Sequence, residues 1–251
     1  MNTKAIIGVN PQLPYSIEEA INRLRINVSF LGSDIRRIMV ISSEPNEGKS
    51  FVTLNLWKQM ASAGVKSILV DVDMRKSVMV QQYQISREDG KELWGLTHFL
   101  SDNKKLEDCV LTTDLPCGDL LPNVNNVVNP SLLLENGRFE ELLKILGEQY
   151  RYVFLDAPPL GLVSDGEKIG NLCDGAILVI HAGVTPTDVI RNSVAQLERA
   201  NCPLLGIVLN RAGAGAGKYG YGKYYGKYYG KYDGKYYGRK YYTDKYYSEK
   251  K

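Results

Sequence analysis

The sequence predicts an α/β fold in three layers, a mainly parallel β-sheet with helices on both faces. Three observations carry that expectation. Short runs that are apolar almost throughout, such as "AILVI" and "SILV", have the length of buried strands. They alternate with longer segments whose apolar residues recur every three or four positions, which implies right-handed crossovers that lay helices over the sheet. One strand-to-helix junction carries a Gly48-Lys49-Ser50 triplet, at the end of a parallel sheet where ligands collect.

Taken in order, residues 1–15 read as a mixed arm broken by Pro11 and Pro14. "SIEEAINRLRINVSFL" (16–31) places Ser16 and Glu19 at capping-box spacing and repeats Ile17, Ala20, Ile21, Leu24 and Val28 at helical intervals, so a first helix is expected there. "RRIMVISS" (36–43) reads as a buried strand and "KSFVTLNLWKQMASAG" (49–64) as a helix stopped by glycine. "KSILVDVD" (66–73) is a second strand, and "GLTHFL" (95–100) and "PSLLLENGRFEELLKILGEQY" (130–150) are helical. Strands "YVFLDAPP" and "GAILVIHAG", helix "TPTDVIRNSVAQLERAN" and strand "LLGIVLNR" complete the body.

Composition narrows the function classes. At 251 residues and 44% apolar the chain can bury a core, and no apolar run is long enough to cross a bilayer. Cys109, Cys117, Cys173 and Cys202 lack metal-ligand spacing and no signal-peptide pattern precedes them, so packing thiols in a reducing cytoplasm are expected. His98 and His181 have no evident chemical partner and, like Trp57 and Trp94, are assigned to packing.

The chemistry begins at "SSEPNEGKSF". Ser43, four intervening residues and then Gly48-Lys49-Ser50 fit a phosphate-binding loop with serine in place of the first glycine, which makes the fold P-loop NTPase-like. Backbone N–H groups through Asn46, Glu47, Gly48, Lys49, Ser50 and Phe51 are expected to cradle phosphates, with Lys49 on the β and γ oxygens and the Ser50 hydroxyl on Mg²⁺. Asn46 suits a left-handed turn. Asp71 and Asp73, two apart, are expected on one side of the second strand's end, and Asp156 ends another strand; one acid would hold Mg²⁺ through water and another accept a proton. Asn210, closing the last strand beside Arg211, could meet an adenine edge or form a turn.

"SEPNEGKS", "ILVDVDMR" and "VFLDAPP", followed by a terminal tyrosine cluster, resemble the cytoplasmic bacterial tyrosine kinases of capsule and exopolysaccharide synthesis, of the Firmicutes type. That resemblance implies a tyrosine kinase domain over 16–211 using ATP and Mg²⁺, with Lys49, Asp71, Asp73 and Asp156 catalytic and Ser50, Asp71 and Asp156 at the metal. It implies a homo-oligomer whose helical interface motif is represented by Glu19, Asn22 and Arg25, asparagine standing where the family has its middle arginine. It further implies a transmembrane adaptor of the polysaccharide co-polymerase type that activates the kinase at the inner face of the cell membrane, protein substrates and an opposing tyrosine phosphatase.

Residues 212–251 hold thirteen of the seventeen tyrosines: Tyr219, Tyr221, Tyr224, Tyr225, Tyr228, Tyr229, Tyr232, Tyr236, Tyr237, Tyr241, Tyr242, Tyr246 and Tyr247. Spaced by glycine and lysine and nearly devoid of aliphatic residues, this segment cannot offset its ordering entropy, so it is expected to be a disordered, flexible tail offering phospho-acceptors in trans. It carries ten Lys/Arg against three Asp/Glu, leaving the body with 21 against 25. Two other readings stand beside the substrate tail: lysines and tyrosines binding nucleic acid or an anionic surface, the less expected partner, and an aromatic sticker. For the body the alternative is a MinD/ParA-like ATPase switch, against which Glu44 stands where those proteins carry a bridging lysine.

Overall fold

The structure, a computed structural model, describes residues 3–212. Its elements run β1 (Thr3–Ile7), α1 (Tyr15–Ser29), β2 (Arg37–Ser42), α2 (Lys49–Ser62), β3 (Ser67–Asp71), α3 (Met79–Gln82), β4 (Ile85–Arg87), α4 (Leu96–Leu100), α5 (Leu106–Cys109), β5 (Leu111–Thr112), β6 (Gly118–Leu121), α6 (Ser131–Glu135), α7 (Arg138–Gln149), β7 (Tyr152–Asp156), α8 (Asp165–Gly170), β8 (Gly175–His181), α9 (Thr187–Arg199) and β9 (Leu204–Asn210). The strands form one sheet in the order β4-β1-β5-β6-β3-β7-β2-β8-β9. All neighbours are parallel except β1 with β4 and β5 with β6. The five predicted strands are therefore the contiguous parallel block β3-β7-β2-β8-β9, in the predicted α/β arrangement.

Alternation along β2 divides the core. Ile38 and Val40 pack with Val52, Leu56 and Trp57 on the α2 face, while Met39 and Ile41 pack with Phe139, Leu142 and Ile169 on the α7/α8 face. Each side chain of the strand thus meets a helix layer, which is why the strand is apolar throughout. Trp57 is fully buried as expected, and Trp94 packs against the core's edge beneath the Lys104 ammonium. Cys109, Cys173 and Cys202 are buried and none of the four cysteines is in a disulfide. His98 serves α4, its Nδ1 accepting from the Gly95 N–H. Among the described residues no helix is long and apolar enough to cross a membrane.

The structure differs from expectation at several places. The arm over 1–15 contains β1, which joins the sheet because five residues suffice to bury Ala5 between β4 and β5. The strands β4, β5 and β6 are two to four residues long, too short to show a period. Helix α1 starts at Tyr15, not Ser16: the Pro14 carbonyl accepts from the N–H groups of Ile17 and Glu18, and no side chain caps the end, so the Ser16–Glu19 capping box does not form. Ile17, Ile21 and Val28 are buried, whereas Ala20 is exposed. The helix expected over 130–150 is two, divided at Gly137, whose φ of 78° is the left-handed conformation that glycine adopts without strain. Strand β3 stops at Asp71, because the Asp71 carboxylate accepts from the Asp73 N–H and turns the chain, placing Asp73 beyond the strand.

One ion pair joins the far end of the sheet. Asp174 Oδ2 accepts from the N–H groups of Arg36 and Arg37 at 2.9 and 2.7 Å, and Oδ1 meets Arg37 Nη2 at 2.5 Å. Burial pushes the Asp174 carboxyl up, but these bonds outweigh it and hold the group below its ordinary range. A carboxylate so depressed adds stability that is present above its unfolded value and lost as pH falls through the folded one. Asp174→Asn should therefore lower stability by about 1–3 kcal/mol near neutral pH. Urea unfolding should find the two proteins converging as the solution is acidified below about pH 4; a gap that persists in acid would assign the effect to packing.

Candidate active site

The loop between β2 and α2 stands at the carboxyl end of the sheet's centre. Its shape needs two left-handed residues, Asn46 at φ 64° and Gly48 at φ 92°. Glycine is required twice over at position 48, since a Cβ there would lie 2.1 Å from Asn210 Nδ2. The same nitrogen donates to the Glu47 carbonyl at 2.8 Å, and Asn210 Oδ1 accepts from the Arg211 N–H at 2.9 Å. Asn210 is thus the brace under the loop, with one donor and one acceptor already engaged. Ser43, in place of the expected glycine, is fully buried with its hydroxyl bound by Ser193 of α9 at 2.8 Å.

Glu47 and Phe51, expected near a nucleotide, direct their side chains elsewhere. The buried Glu47 carboxylate accepts from the Glu44 N–H at 2.8 Å, the His181 N–H at 3.3 Å and the Thr185 hydroxyl, fastening the loop to the β8–α9 turn. Phe51 packs on the α2 side of the core. What these two residues offer a ligand is backbone N–H at the start of α2, which no side chain caps.

Three carboxylates converge on Lys49. Asp71 and Asp156 are register partners on the adjacent strands β3 and β7, and β7 also pairs with β2. Asp71, Asp73 and Asp156 are only 1%, 2% and 2% exposed. Lys49 Nζ lies 3.3 Å from Asp73 Oδ2 and 3.4 Å from Ser50 Oγ. Thr53, one turn along α2, donates to Asp156 Oδ1 at 3.3 Å, and Ser50 also bonds that carboxylate. Asp71 is bonded by the Asp73 N–H and by the Ser77 hydroxyl, while the Lys76 N–H supports Asp73 at 3.1 Å. Burial, then the neighbouring Asp156 charge, drives the Asp71 carboxyl well above the ordinary range against the opposing Ser77 bond. Burial raises Asp156 as well, with Lys49 opposing.

Thr53 and Ser77 were not singled out from sequence. The signal for Thr53 was its i+4 spacing from Lys49, which places both on one helix face. Arg75 of the "DVDMR" run pairs with Asp165 of α8 at 2.5 Å, and Asp165 also accepts from the Ser131 hydroxyl at 3.3 Å. Glu19, Asn22 and Arg25 lie on α1, away from this cluster in the chain: Glu19 pairs with Arg23 at 3.3 Å, and Arg25 Nε donates to Asn22 Oδ1 at 3.1 Å. The thirteen tail tyrosines lie outside the described residues.

The donor set fits a hydrated Mg²⁺ bound together with phosphates. Among the described residues no group of three or more His, Cys, Asp or Glu forms a metal cage of its own. Magnesium rarely uses one, keeping waters and taking one or two carboxylates plus substrate oxygens. Three buried carboxylates stand beside Lys49, and Ser50 and Asp156 are the hydroxyl and carboxylate that would share such an ion.

Comparison with known proteins follows the same line. A family model described as an AAA domain matches residues 36–169. Tyrosine-protein kinase CpsD of Streptococcus agalactiae is 33% identical over 208 residues, 82% of this chain and 89% of that relative. The kinase domain of Escherichia coli tyrosine kinase ETK superposes with a TM-score of 0.71 at 25% identity, covering 81% of this chain and 80% of its own. The septum site-determining protein MinD of Pyrococcus horikoshii, solved with Mg-ADP, shares the fold alone, with a TM-score of 0.60 at 24% identity over 71% of each chain.

Two like charges buried side by side destabilise the ligand-free protein. A carboxyl whose folded value is raised contributes stability below its unfolded value and loses it as pH rises through the folded one. Asp71→Asn, which can keep its bonds to the Asp73 N–H and Ser77, should raise the melting temperature of the nucleotide-free protein near neutral pH by about 2–4 °C, equivalent to about 1 kcal/mol. Calorimetry in acid should show the difference shrinking; a variant less stable than the parent at neutral pH would mean that the charge itself is needed for folding.

Proposed function

The chain belongs to the bacterial tyrosine-protein kinases, and from that premise we propose that it transfers the γ-phosphoryl group of ATP to tyrosines of its own residues 212–251 in trans. The observation that carries this reading is the gathering of Asp71, Asp73 and Asp156 on Lys49 at the uncapped start of α2. Backbone N–H groups of the loop and the Lys49 ammonium bind the phosphates, for which Lys49 turns from Asp73 toward the incoming oxygens. Ser50 and Asp156 would hold Mg²⁺, and Asp71 is the remaining acid, able to serve either the metal or the proton. When bound, the ion neutralises charge on the β and γ oxygens.

Asp71 is the better proton acceptor, because its raised affinity for protons matches a phenol better than an ordinary carboxylate does. The tyrosine oxygen bonds to the γ-phosphorus as the bond to the β-phosphate oxygen breaks. ADP leaves, and the phenolic proton passes to Asp71. Arg211 and Asn210 border the nucleotide's other side. The kinase domain spans 16–211, although β1 shows that the preceding arm packs with it. α1, through Glu19, Asn22 and Arg25, is the proposed contact between copies.

The cellular role extends the family resemblance: a transmembrane adaptor recruits and activates the enzyme at the inner membrane face, a phosphatase resets it, and the phosphorylation cycle regulates capsule or exopolysaccharide synthesis and export. A MinD-type ATPase switch is the second reading, supported by the shared fold.

Incubation with ATP-Mg²⁺ and the adaptor, followed by mass spectrometry, should place phosphate on tail tyrosines such as Tyr224 and Tyr228. Hydrolysis without labelled tyrosine would favour the switch. Lys49→Met should lower transfer by about a hundredfold or more while keeping the fold, since it removes the cation that meets the developing charge. Asp71→Asn should lower turnover far more than nucleotide affinity; parallel losses would make Asp71 a metal ligand instead. Arg25→Glu should reduce the mass of the assembly in sedimentation without altering nucleotide binding, and an unchanged mass would remove α1 from the interface.

A further inference from the structure

Val128, just before α6, and Leu132, within it, are large apolar side chains left 70% and 67% exposed. Their chain neighbours Val127 and Leu133 pack into the core, so the backbone between them is fixed and these two are held outward. The segment is laced to the one that orients the carboxylates. The Val127 N–H donates to the Met74 carbonyl at 2.8 Å, Arg75 Nη1 to the Val128 carbonyl at 3.1 Å, and the Ser77 N–H to Asn126 Oδ1 at 2.9 Å. Ser77 in turn bonds Asp71. Ser131, adjacent to Leu132, bonds the Asp165 carboxylate that pairs with Arg75.

We propose that Val128 and Leu132 form an apolar rim that docks the tyrosine rings of residues 218–247 of this chain, presenting a phenol to Asp71; the proposal rests on the kinase reading above. Three features select this occupant. Residues 218–247 contain only Lys, Arg, Tyr, Gly, Asp and Thr, so tyrosine rings are almost the whole of their apolar surface. From residue 212 onward the chain has ten basic residues against three acidic, complementary to a site where three carboxylates face Lys49. The rim is also tied to the segment that orients the acids. The exposed Val184 and Leu209 follow β8 or lie in β9, whereas Val128 is bonded through Arg75 to the segment after β3, and Leu132 lies in α6 beside Ser131, which bonds the Asp165 partner of Arg75. Preorganised aliphatic surface beside a charged centre suits an aromatic ring with a polar tip.

The test uses the full chain and a synthetic peptide, KYYGKYYGKYDG, copied from residues 223–234. Binding is read by fluorescence anisotropy, which needs no transfer, and phosphorylation of the peptide is measured separately. The variant Val128→Ser/Leu132→Ser changes only exposed side chains and should raise the peptide Kd and KM roughly tenfold, with kcat and the KM for ATP within about twofold, as loss of aliphatic burial predicts. Val128→Ile/Leu132→Met should restore both values, and a peptide with alanine for every tyrosine should bind at least about tenfold more weakly at the same charge. An unchanged peptide Kd in the serine variant, or equal binding of the alanine peptide, would overturn the docking site even if the enzyme phosphorylates tyrosine normally. Rim-dependent binding without transfer would keep the docking surface while removing the kinase reading.

Discussion

The register that sets Asp71 opposite Asp156 is the constraint on which the rest of the site depends. Parallel pairing of β3 with β7 brings two carboxylates to the same level at the end of the sheet, and neither is exposed by more than 2%. Buried like charges are costly unless a cation and hydrogen bonds face them. The surrounding residues supply those: Thr53 and Ser50 on Asp156, Ser77 and the Asp73 N–H on Asp71, and Lys49 against Asp73. The compensation is incomplete, and both carboxyls hold protons more tightly than usual. An incomplete balance of this sign favours a ligand that brings its own cation, as the proposed nucleotide with Mg²⁺ would.

Outside the acids, long-range bonds replace the regular ladder that ends with the strands. Arg75 to Asp165 joins the segment after β3 to α8, and Ser131 adds α6 to the same carboxylate. On the opposite side, Glu47 gathers the Glu44 and His181 N–H groups with the Thr185 hydroxyl. Each is a buried or half-buried acid surrounded by donors from two other elements, which fixes loops that carry few apolar contacts. Such loops can present backbone N–H groups and carboxylates without rearranging on every binding event.

The parallel block was legible because its strands are buried on both faces and therefore read as unbroken apolar runs, and its three acids stand where such runs end. The edge was not. β4, β5 and β6 have two to four residues each, and a two-residue strand such as Leu111–Thr112 leaves no pattern to detect. The capping box failed for a different reason: Pro14 already directs the chain into α1, so Ser16 falls inside the first turn. Lys49, Ser50 and the acids were found through motif spacing. Ser77, Thr53, Ser193 and Asp165 act through partners that are distant in sequence or belong to no motif, and only the fold brings them there.

The departure from the glycine-first phosphate loop locates where the site can move. Ser43 is bound by Ser193 of α9, Glu47 is tied to the turn after β8, and Asn210 at the end of β9 fills the space over Gly48. Three successive elements on one side of β2 thereby hold the loop backbone, so a bound phosphate meets a cradle whose shape is set beforehand. The Lys49 ammonium, at the end of a four-carbon stem, lies 3.3 Å from Asp73 Oδ2 and 3.4 Å from Ser50 Oγ. In the proposed reaction, exchange of Asp73 for phosphate oxygens would be a side-chain movement over this braced backbone. The braced loop and the lysine beside it are therefore complementary in the proposed reaction, the first setting where phosphate would sit and the second linking its arrival to the carboxylates.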